Sequence, residues 1–189
     1  MSSTSEMLTE EQGEFLVKLA RRIIESFVRN EKIEKPKNIK PFMNEKRGVF
    51  CTLTKNGKLR GCIGLPYPTH KLVDAVVEAA VGSTQDPRFP SVTEDELKDI
   101  KIEISVLTTP KKIDATGEEI LEKIKPKEDG LIIKYGFNQG LFLPQVWEEL
   151  PNKTEFLDHL CLKAGLAPGY WKKPGVEFYG FRVQAFKEK

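Results

Sequence analysis

The order of hydrophobic periods along this sequence predicts an α+β fold on a largely antiparallel sheet. A helix-period stripe comes first, an Asn-Gly hairpin follows, and the later strands and helices are mixed rather than strictly alternating. The stripe is Phe15, Leu16, Leu19, Ala20, Ile23, Ile24, Phe27 and Val28. It predicts a helix from about Thr9 to Asn30, started by a Thr9/Gln12 capping box. Glu31 to Arg47 is rich in Lys, Pro and Asn without a period and reads as a loop or meander. Val49 to Thr54 and Leu59 to Gly64 flank Lys55-Asn56-Gly57-Lys58, the strongest short-range hairpin signal, because both central residues of a type I′ turn need positive φ. Pro66 and Pro68 end the second strand.

Thr69 is placed to cap a helix from about His70 to Gly82, apolar on most of its circumference and therefore buried. Asp86-Pro87-Arg88-Phe89-Pro90 is a loop, and Thr93 with Glu96 forms a second capping box opening a short helix. Ile100 to Thr108 sets Ile102, Ile104 and Val106 against Lys101, Glu103 and Ser105, a strand buried on one face. Thr116 to Ile124 reads as a short helix, and Gly130 to Tyr135 and Gly140 to Leu143 as strands joined by residues 136–140. Pro144 to Leu150 and Thr154 to Ala164 read as helices, Pro144 suiting a first helical turn. Val176 to Phe186 closes the chain as one alternating strand.

Composition bounds the function classes. In 189 residues, 39% are hydrophobic and 31% charged, which is a globular balance and excludes general disorder. Thirty basic against twenty-eight acidic residues leave a net charge of +2, which disfavours a dedicated polyanion binder. Arg29 to Arg47 is locally basic, and the rest of the chain is net negative. Met1 to Glu6 is polar and acidic without an apolar run, so no signal peptide is expected, and Leu72 to Val81 is too short and too charged to span a bilayer. Cys51, Cys62 and Cys161 make an odd set without disulfide spacing, which points to a reducing, cytoplasmic setting. With only His70 and His159, and no C-x-x-C or H-x-x-H, no metal site and no resident cofactor are expected.

The hairpin is the segment best placed to carry chemistry. Counting outward from Asn56-Gly57, Leu53 opposes Arg60, Cys51 opposes Cys62 and Phe50 opposes Ile63. Both cysteines and Arg60 then share one face. A cation beside a cysteine favours the reactive thiolate, whereas two buried cysteines would be small packing groups. Gly61 and Gly64, glycines inside a strand, mark a bulge or a close approach of backbone or ligand. In the Asp86–Pro90 loop, Arg88 offers a planar fork for a carboxylate or phosphate; alternatively it pairs with Asp86 while Phe89 plugs the core. Tyr170-Trp171 and Phe178-Tyr179 are either a base-stacking surface or core closure.

Leu59-Arg60-Gly61-Cys62-Ile63-Gly64, followed by Asp86-Pro87-Arg88-Phe89-Pro90, resembles the AMMECR domain family. The similarity extends from the Phe15 helix to the Val176 strand and includes Pro144-Gln145-Val146-Trp147 and the Leu160 to Trp171 region. It implies a single domain over residues 1–189, an α+β fold with a larger body, a smaller lobe and a cleft between them. It also marks Arg60, Gly61, Cys62, Ile63 and Gly64 as the signature segment, without fixing a reaction or deciding whether the protein is an enzyme. The expected site therefore lies in that inter-lobe cleft and comprises Cys62 as nucleophile or thiol ligand, with Arg60, Gly61, Ile63, Gly64, Asp86 and Arg88 binding a small molecule or peptide. The family's association with Memo-type and radical S-adenosylmethionine (radical-SAM) proteins implies an alternative, a non-enzymatic adaptor docking such a partner. A nucleic-acid-binding regulator using Arg29 to Arg47 is a further alternative.

Overall fold

The computed structural model describes residues 7–189, so the polar stretch Met1 to Glu6 lies outside the described residues. The fold is α+β, with two four-stranded sheets. The chain divides into two compact units, one through Thr109 together with Gln184–Lys189, the other Pro110–Val183.

The first unit contains α1 (Glu10–Val28), the hairpin β1 (Val49–Lys55) and β2 (Lys58–Leu65), α2 (Leu72–Thr84), β3 (Ile100–Leu107) and β8 (Val183–Lys187). Its sheet runs β2-β1-β3-β8. The Thr9/Gln12 capping box starts α1, whose Leu16, Leu19, Ala20, Ile23 and Ile24 are buried. These residues share one core with Val73, Val76, Ala79 and Ala80 of α2 and with Val49, Cys51, Leu53, Ile102 and Ile104 of the sheet. Phe50, Thr52 and Thr54 alternate with that inward set and belong to the opposite face of the sheet.

Two local expectations change. Thr69 does not cap α2; its hydroxyl meets His70 Nδ1 at 2.9 Å, and the helix starts beyond Lys71 without a side-chain cap. The closing strand is two strands. Its alternation continues past Arg182, but β7 (Glu177–Phe181) pairs in the second unit while β8 joins the first sheet. A period of two reports which face a residue takes and is silent on which strand it pairs with.

The second unit adds β4 (Lys111–Ile113), α3 (Ile120–Lys123), β5 (Gly130–Tyr135), β6 (Asn138–Phe142) and α4 (Lys153–Lys163), with sheet order β4-β7-β5-β6. The β5–β6 connection is a two-residue turn at Gly136-Phe137, with Tyr135 paired to Asn138. It is shorter than residues 136–140, because Gly136 takes φ 58° and the strand resumes at Asn138. Trp147 stacks on Phe156 at 3.6 Å in the core, its Nε1 donating to the Asp129 carbonyl.

Candidate functional site

Asn56 (φ 52°) and Gly57 (φ 74°) make the expected type I′ turn, and Lys55↔Lys58 and Thr54↔Leu59 pair as counted. One residue later the ladder shifts. Arg60 is left without a partner, and Leu53 pairs with Gly61, Thr52 with Cys62, Cys51 with Ile63 and Phe50 with Gly64. The expected opposition of Cys51 to Cys62 is therefore wrong, as is the shared face with Arg60. A β-bulge reverses the side-chain alternation beyond it. Cys51 points into the helix-covered core, and Cys62 belongs to the opposite face with Thr52.

Arg60 and Gly61 give the bulge its physical cause. Arg60 Nε and one terminal nitrogen make a bidentate pair with Glu96 at 3.0 and 2.9 Å, and its side chain is 13% exposed. Lys55 Nζ meets the same carboxylate at 3.0 Å. Gly61 faces the end of α2, where a Cβ would lie 2.2 Å from the Ser83 carbonyl oxygen. Only glycine lets β2 approach the helix so closely. Gly64 lies beneath the Phe50 ring, 2.4 Å from where its Cβ would be.

The Asp86–Pro90 loop grips the next peptide. Asp86, 2% exposed, accepts from the backbone N–H of Cys62 at 2.9 Å. It also takes a bidentate pair from Arg88 Nε and a terminal nitrogen at 3.1 and 2.7 Å, and the Arg88 N–H at 3.0 Å. Arg88 in turn donates to the Cys62 carbonyl at 3.3 Å. Both backbone groups of Cys62 on the sheet's β2 edge are thus occupied by one loop, as a neighbouring strand would occupy them. Phe89 lies beside both guanidinium groups, 6.0 Å from that of Arg60 and 5.7 Å from that of Arg88.

The Arg88 guanidinium and, after it, the two N–H donors hold the Asp86 carboxyl far below the usual carboxylate range. Glu96 is held at about 2, mainly by Arg60. Because its folded value lies below the ordinary 4.5, its contribution to stability is complete above about pH 4.5 and fades as pH falls toward 2. Arg60→Gln is accordingly expected to melt lower than wild type at pH 7, with the gap closing between pH 4.5 and 2. A gap that stays constant over that range contradicts the assignment.

Three thiols now separate. Burial pushes the Cys51 thiol up to about 12, and burial also raises Cys161. Cys62 is half-buried, with its Sγ 3.2 Å from Thr52 Oγ1. Arg60, Gly61, Cys62, Ile63, Gly64, Asp86 and Arg88 come together, but the polar ones mostly engage one another. Sequence reasoning missed Thr52 and the second task of Glu96, which completes the Thr93 capping box while binding Arg60. The bulge that brings Thr52 to Cys62 has no sequence signal beyond the Gly61 that permits it.

The other candidates are placed elsewhere. Trp171 and Phe178 are buried, and Tyr170 and Tyr179 each carry a lysine ammonium over the ring, Lys173 at 4.3 Å and Lys134 at 4.9 Å. That is core closure rather than a free stacking surface. In the basic segment, Arg29, Lys35, Lys40 and Arg47 pair with Glu94, Asp74, Glu11 and Glu45. His70 and His159 are exposed. Among the described residues, no group of three or more His, Cys, Asp or Glu is placed to hold a metal ion, and no helix is long and apolar enough to cross a membrane.

Comparison with known proteins agrees with the resemblance carried by the signature and the loop. A protein of Methanosarcina barkeri is 51% identical, the match covering 97% of this chain and 93% of that protein. A protein of Methanocaldococcus jannaschii is 49% identical over 96% of this chain and 92% of its own. The crystal structure of the uncharacterized protein PH0010 from Pyrococcus horikoshii superposes with a TM-score of 0.80 at 44% identity, covering 96% of this chain and 94% of that one. The AMMECR1 family model matches residues 17–186, and the chain belongs to the AMMECR1 family.

Proposed function

We propose that this protein binds a small molecule or peptide at the face of the β2-β1-β3 sheet that carries Cys62, with the Cys62 thiol as nucleophile or ligand-holding group. One observation carries the reading. Asp86 and Arg88 hold the Cys62 peptide at its N–H and C=O, and Arg60 with Glu96 and Gly61 against Ser83 hold the bulge just before it, while the thiol itself stays half-buried on the face away from the helices. So much fixation around one short side chain fits a group that must be aimed, since bulges commonly re-aim a side chain beside a working site. Phe50, Thr52 and Thr54 of β1 and Glu103 and Ser105 of β3 alternate onto the same face and would form the floor under a ligand. Arg88, whose side chain is 57% exposed, is the group nearest the Cys62 peptide suited to an anionic substituent.

An adaptor role, in which the β2 edge adds to a sheet of a Memo-like or radical-SAM partner, has less support. Strand addition needs free edge N–H and C=O groups, and at Cys62 both are taken by Asp86 and Arg88. A nucleic-acid role has less still, because most of the basic segment is paired with carboxylates.

The test is mass spectrometry of small molecules and covalent adducts retained by protein purified natively from its own cells. The expected result is a species held by wild type and lost from Cys62→Ala. The same retained species in both proteins, or none in either, counts against the proposal.

A further inference from the structure

We infer that Thr52 is the positioning residue of the Cys62 thiol; this rests on the proposal that the thiol is the working group. Thr52 Oγ1 lies 3.2 Å from Cys62 Sγ, and the two residues are direct cross-strand partners. Their pairing exists only because the ladder shifts at Arg60. Without the bulge, Cys62 would lie opposite Cys51. Two independent anchors hold the shift in place, the Arg60–Glu96 pair on one side and the Asp86–Arg88 grip on the Cys62 peptide on the other.

The charged groups around the thiol come as compensated pairs. Arg88 is joined to Asp86 on the loop at 2.7 Å, and Glu103 of β3, the next residue across from Thr52, is joined to Lys187 of β8 at 3.4 Å. The Thr52 hydroxyl is the polar partner of the sulfur at 3.2 Å; when the sulfur reacts as a thiolate it has no proton to give, so the hydroxyl is the donor that holds it in place. The β-branched side chain is restricted at χ1, which narrows the directions its hydroxyl can take.

Iodoacetamide labelling of the native protein, followed site by site by mass spectrometry at pH 7.5, tests the inference with no knowledge of the ligand. Thr52→Val keeps the shape and removes the donor, so it is expected to slow Cys62 alkylation about tenfold, the worth of a hydrogen bond to a charged group. Thr52→Ser keeps the donor and is expected to stay within about twofold of wild type. If Thr52 served only as packing, the order would reverse, Val being competent and Ser impaired. That order, or wild-type rates in both variants, overturns the inference. Should Thr52→Val fail to fold, Thr52→Ala carries the same expectation. Because labelling rates are read without any functional assay, the positioning role and the functional reading of Cys62 fail separately.

Discussion

Asp86→Ala is expected to lower the unfolding free energy by about 2 kcal/mol, the scale of lost hydrogen bonds to a buried carboxylate whose ion-pair partner, Arg88, stays solvated. The carboxylate is 2% exposed and accepts four hydrogen bonds, one from the Cys62 N–H and three from Arg88. Its removal strands the Cys62 N–H at the sheet edge and releases Arg88, which then loses its hold on the Cys62 carbonyl. Alanine cannot replace any of these acceptors. Asp86→Asn keeps one carbonyl oxygen for the Cys62 N–H and is expected to fall between the two. Urea unfolding reads the energy, and hydrogen exchange at the Cys62 amide reads the location. A loss under about 1 kcal/mol with unchanged exchange at Cys62 would mean that the loop does not secure the strand.

Much of this architecture is legible in the residues. The α1 stripe and its capping box, the Asn56-Gly57 turn and the alternation of β3 follow from local periods and turn chemistry, and the structure contains all of them. The site is less legible, for a specific reason. A hairpin turn fixes register only while the ladder is regular, and Arg60 interrupts it through a partner, Glu96, that is distant in sequence. One unpaired residue then moves Cys62 to the other face, and with it every inference about its neighbours. The same limit applies at Arg182, where a continuous alternating pattern passes from one sheet to another. Nothing at Thr52 marks it, since a threonine in a strand is ordinary until its partner is known. By contrast, the pairing of Asp86 with Arg88 was readable as a short-range turn, but its grip on Cys62 was not.

The central claim is that this scaffold exists to present the Cys62 thiol, and one paired measurement reaches it most directly. Cys62→Ala and Cys51→Ala are compared for melting temperature and for complementation of a strain lacking the gene. Cys51 is fully buried among the helices and strands of the first unit, so its truncation opens a cavity and is expected to cost about 1–2 kcal/mol, with function falling only as the folded fraction falls. Cys62 is half-buried on the other face, and its truncation is expected to leave the melting temperature within about 2 °C of wild type while abolishing complementation. Full complementation by Cys62→Ala at an unchanged melting temperature would contradict the claim and leave the clamp around Cys62 as a purely structural device.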